Sequence, residues 1–128
     1  MNFKMAAPTQ SLRPSKQVAF KINGHQTDIS CTDFQNRLFL VITQLQKIGT
    51  LIHLSKDVVM EQGPTHVYTT KVLLGKDEEH LNLLARRLAE RIPINKPILL
   101  SLALKDTSII TLKAIEQLIV DNQMWEVR

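Results

Sequence analysis

The sequence predicts an α+β fold, a six-stranded, mainly antiparallel sheet with two helices packed on one of its faces. Three observations carry this. Period-two apolar alternation fills the first half of the chain, two stretches of period 3.6 follow it, and one short apolar run separates them. The order is five strands, helix, strand, helix, without an internal repeat.

Residues 1–15 mix Pro8, Pro14, Ser11 and Thr9 with apolar residues at no fixed period, and are expected to be a tail outside the fold. A single domain is expected over 16–125, with 126–128 as a short C-terminal tail. In the first strand Val18, Phe20 and Ile22 alternate with polar or small residues, and Asn23-Gly24 is a tight-turn dipeptide. The return strand carries Thr27, Ile29 and Cys31 on one side. Leu38 to Ile42 is apolar at five consecutive positions, and with Thr50 to Leu54 it reads as a second hairpin. Ser55 to Pro64 reads as a ten-residue connection to a fifth strand from His66 to Leu74, the alternative being that Val58 to Met60 extend a strand or fold back on the sheet edge.

Asp77 is positioned to cap the first helix, and Glu78 and Glu79 favour its positive end. Leu81, Leu84, Ala85 and Leu88 form its apolar stripe, and Pro93 ends it. Ile98 to Leu104 makes the sixth strand. Thr107 or Ser108 caps a second helix with Leu112, Ile115, Leu118 and Ile119 as its stripe.

Two helices, each about 10 Å wide, cover one face of about four strands spaced about 4.8 Å apart, which leaves the other face bare. The third and sixth strands are nonetheless apolar on both sides. Phe39, Val41, Leu99 and Ala103 are the expected interface on the bare face, with a partner subunit covering it.

The composition argues against several functions. Of the formal charge of +4, Lys4, Arg13 and Lys16 supply +3, so the folded part is nearly neutral. Nucleic-acid binding, the alternative reading, needs basic and aromatic side chains on one exposed face, and the strands offer Phe20, Phe39 and Tyr68 without flanking arginines. The four histidines have no metal-ligand spacing, and no cofactor or metal is expected. Gly75-Lys76 fails as a phosphate loop because Thr70 and Asp77 stand where that motif needs Gly and Ser or Thr. The lone Cys31 and the absence of an N-terminal apolar run point to the cytosol or nucleus and away from membranes.

Three stretches resemble the type-3 proteasome assembly chaperone family: Val41 to Leu51, Thr69 to Glu78, and Leu102 to Ser108 leading into the last helix. The resemblance implies a non-catalytic chaperone that pairs with a type-4 chaperone of the same fold, or with a second copy of itself. It implies that the pair helps order α subunits of the 20S proteasome into a ring and leaves before the particle matures. The same resemblance directs α subunits to the Ser55–Pro64 connection, where Val58, Val59 and Met60 lie between Lys56, Asp57 and Glu61.

Overall fold

A computed structural model describes residues 15–127. Six strands, β1 (Ser15–Ile22), β2 (His25–Asp33), β3 (Leu38–Thr43), β4 (Thr50–Met60), β5 (Pro64–Leu74) and β6 (Ile98–Ala103), form one sheet in the order β1-β2-β3-β6-β4-β5. Helices α1 (Glu79–Arg91) and α2 (Ile109–Asp121) pack on one face. The α+β expectation is met, with the sheet mixed because β3 and β6 run parallel.

The first hairpin forms as its dipeptide demands, with Asn23 and Gly24 both at positive φ (50° and 83°). Ser15 already pairs with Thr32, so β1 starts one residue before the expected domain boundary, and the rest of the expected tail lies outside the described residues. At the other end the expected 126–128 tail is not separate. Val127 packs against the core and the Glu126 amide donates to Gln123, while Arg128 lies outside the described residues.

Two elements differ from expectation. β3 and β4 do not form a hairpin, because β6 inserts between them and pairs Phe39 with Leu99 on one side and His53 with Leu99 on the other. Of the two readings of Ser55 to Pro64, the ten-residue connection gives way to the strand extension. β4 runs on to Met60 and turns through Glu61-Gln62-Gly63 into Pro64 of β5, the register holding from Ser55↔Thr69 to Met60↔Pro64. β6 reaches β4 only as far as Leu54, so this part of the hairpin extends as a two-stranded arm past the rest of the sheet. An arm with both sides exposed has no buried face to impose alternation, which is why its sequence reads as a loop.

The core lies between sheet and helices. Leu38, Leu40 and Ile42, Ile98, Leu100 and Leu102, and Ile52 and Leu54 meet Leu81, Leu84, Ala85 and Leu88 of α1 and Leu112, Ile115 and Ile119 of α2, all buried. Each large side chain among them contributes about 1.5–3 kcal/mol relative to exposure. Asp77 does not cap α1. Glu78 holds that position without a side-chain bond, and the Asp77 carboxylate accepts from Asn82 instead. Ser108 does cap α2, accepting from the Thr111 amide at 3.4 Å.

Polar groups fasten the end of the sheet where both helices begin. Gln44, buried, donates from Nε2 to Thr27 Oγ1 (3.1 Å) and accepts at Oε1 from the amides of Lys105 (2.9 Å) and Asp106 (3.0 Å). Asp106 accepts from Thr111 Oγ1 (2.5 Å), Asn23 Nδ2 (2.8 Å) and the Ser108 amide (2.9 Å), which hold its carboxyl far below the usual range.

Candidate functional site: an open sheet face and an arm

Strand alternation turns Phe39, Val41, Leu99 and Ala103 away from the helices, onto the open face expected for them. Across the parallel pair Phe39 lies beside Leu99, Val41 beside Ser101 and Thr43 beside Ala103. Thr32 and His53 flank the Phe39–Leu99 pair from β2 and β4. The four residues are not equally available. Val41 and Ala103 are 5% and 4% exposed within the chain itself, whereas Phe39 and Leu99 are only half-buried. The Phe34 ring adds to this surface, tilted 49° with its centroid 6.4 Å from that of Phe39.

The six residues singled out between β4 and β5 separate into two groups. Lys56 faces the helix side, where its ammonium donates to the carbonyl of Ile92 just past the end of α1, and burial lowers its pKa. It therefore ties the arm to the helix layer and is not free to meet a partner. Asp57, Val58, Val59, Met60 and Glu61 lie beyond this tie and are exposed, Met60 by 73% and Val58 by 55%. Val67, opposite Asp57, adds a further exposed aliphatic.

Sequence reasoning missed a second exposed apolar group, Leu83, Ile109 and Ile110, at the first turns of the helices. The available signal was the pair Ile109-Ile110, which falls off the stripe of α2. Two arginines of α1 reach across to α2. Arg87 Nε and Arg91 Nη1 donate to the Glu116 carboxylate of α2 at 2.5 and 2.7 Å. Burial pushes this carboxyl up, but the two guanidinium groups outweigh it and hold it below its ordinary value.

The described residues contain no group of three metal-ligating side chains. Cys31 is buried in the core, and burial, with Asp33 nearby, pushes its thiol up to about 12, so it carries no thiolate at neutral pH. Among the described residues no helix is long and apolar enough to cross a membrane.

A small α+β scaffold with apolar surface on several sides and an unreactive cysteine has the character of a protein-binding module. A family model for proteasome assembly chaperone 3 matches residues 40–122. Proteins named proteasome assembly chaperone 3 are 38% identical in Bos taurus (89% of this chain, 96% of the relative), 37% in Homo sapiens (87% and 93%) and 33% in Nematostella vectensis (86% and 89%). A chain from the crystal structure of a chaperone complex for yeast 20S proteasome assembly has the same fold, with a TM-score of 0.61 at 15% identity, covering 86% of this chain and 97% of its own. The chain belongs to the proteasome assembly chaperone 3 family.

Proposed function

We propose that this protein is a non-catalytic chaperone that promotes assembly of the 20S proteasome α-ring. It works as a dimer with a type-4 assembly chaperone, or with a second copy of itself when alone, and is released before the particle matures. The observation that carries this reading is the open face. Phe39 and Leu99 leave apolar area uncovered at the centre of a sheet whose other side packs against the helices, and a second sheet laid against them removes it from water. The yeast structure that shares the fold is itself a chaperone complex for 20S assembly, which supports a paired state.

The arm is the proposed contact for α subunits, through Val58, Val59 and Met60, with Asp57 and Glu61 setting register. Methionine suits such a surface because it adapts its shape to the partner. The protein acts in the cytoplasm, without nucleic acid, membrane or cofactor.

Co-expression with the type-4 chaperone, followed by capture of purified α subunits, tests this. The wild-type pair should co-elute and retain α subunits, and Val58→Ser with Met60→Ser should preserve pairing and weaken capture. A wild-type pair that retains no α subunit refutes the chaperone reading, whereas undiminished capture by the double variant refutes only the role of the arm.

A further inference from the structure

We infer that the groove between the first turns of α1 and α2 is a second protein-binding surface, which takes an amphipathic helix of the α subunit being assembled. This rests on the chaperone reading above. The groove is a 720 Å³ depression with Leu83, Ile109 and Leu112 among its lining residues, Asp77 and Glu79 toward the start of α1 and Arg86 farther along it.

Two of its apolar residues, Leu83 and Ile109, do not serve the fold. Ile109 is 68% and Leu83 57% exposed, and Ile110, next to the lining but not part of it, is 75% exposed, while Leu112, Ile115 and Ile119 supply the core. Isoleucine is also a poorer helix former than alanine or leucine, so two of them exposed in a first turn add little to α2. Solvent-facing apolar residues grouped in this way mark a contact surface.

The charges specify the occupant. Arg86 makes no ion pair or hydrogen bond with another described residue, although Arg87 and Arg91 beside it are both held by Glu116. Glu79 and Arg86 are seven residues apart on α1, about 10.5 Å along its axis. A complementary surface therefore carries a cation and an anion at that separation with apolar side chains between them. An α-helix supplies this with a basic residue at one position, apolar residues three and four away, and an acidic residue seven away. Packed antiparallel to α1, such a helix brings its own C-terminal end to Asp77 and Glu79, where a basic residue also complements its dipole.

The groove belongs to the helix layer, on the opposite side of the sheet from Phe39 and Leu99. A subunit paired over the open face leaves it accessible, so pairing and client binding can occur together.

The test uses the full chain paired with its type-4 partner and purified α subunits. Ile109→Ser with Ile110→Ser, and separately Arg86→Glu, should weaken capture about tenfold while pairing and melting temperature hold. Leu83→Asp, on the other helix, gives the same readout if the serines fray α2. A photo-cross-linker at position 109, in the groove lining, should attach to an α-subunit helix. Capture equal to wild type, or an adduct on the pairing chaperone, overturns the inference and leaves the chaperone reading intact. Failure of the wild-type pair to capture any α subunit removes both.

Discussion

Phe39 of β3 and Leu99 of β6 lie side by side on the open face, joined across the only parallel pairing among the described residues. Together they place the largest half-covered apolar pair at the centre of the face rather than at its rim. Leu99→Asp should therefore abolish self-association and pairing, as read by sedimentation, with little change in melting temperature. Val41 and Ala103 are less suitable targets, because a charge at either nearly closed position would disturb the sheet itself.

Gly49 is expected to resist any side chain. A β-carbon there would stand 2.1 Å from the Leu102 carbonyl oxygen and 2.8 Å from the Ala103 α-carbon, both backbone atoms that cannot step aside. The Gly49 amide also donates to Ser101 Oγ at 3.2 Å, which fixes the strand approach. Gly49→Ala should cost at least about 1–3 kcal/mol in a denaturant titration.

Cys31 should be silent to thiol reagents in the native protein and react at once in denaturant. Cys31→Ala should lower stability by about 1 kcal/mol and leave α-subunit capture unchanged. Loss of capture at an unchanged melting temperature would mean that the thiol has a functional role.

Acid should destabilise the fold through three carboxylates. Glu116 is held low by Arg87 and Arg91 against the opposing effect of burial, Asp33 by Lys96, and Asp106 by Thr111, Asn23 and Ser108. A carboxyl depressed in the folded state stabilises it above the ordinary carboxylate value and loses that contribution as pH falls through the folded value. The melting temperature should be level above the ordinary glutamate value of 4.5 and fall below it. Glu116→Gln should lower it at neutral pH and make the acid decline shallower.

Most elements were legible because burial writes a period into the chain. Leu81, Leu84, Ala85 and Leu88 repeat at helix spacing, and Asn23-Gly24 marks its turn without help from the rest of the fold. That both faces of β3 and β6 are apolar was legible for a related reason, since their residues are apolar at successive positions. Which alternation faces away from the helices was not, because it depends on where the helices pack. Strand order was not, because adjacency of β3 to β6 depends on contacts between residues sixty apart, such as Leu38 and Ile98, and local pattern does not record them. The arm was hidden for the opposite reason, exposure on both sides, and Lys56 became a tether to Ile92 only once α1 was in place. Arg86 and Arg87 are neighbours in sequence, yet one is held by Glu116 and the other borders an apolar groove.

The insertion of β6 between β3 and β4 bears on how the chain is made. During synthesis β1, β2 and β3 can pair as they emerge, and β4 and β5 can close as a separate hairpin, yet both half-sheets keep a raw inner edge until Ile98 to Ala103 leave the ribosome. Those edges, Leu38 to Thr43 and Thr50 to Leu54, are among the most apolar segments of the chain and could zip onto another nascent molecule. Closing the gap requires a loop of more than fifty residues, so the step that completes the sheet is entropically slow and late. A protein that oversees the construction of other assemblies thus passes through its own unguarded interval, which ends only when its sixth strand arrives.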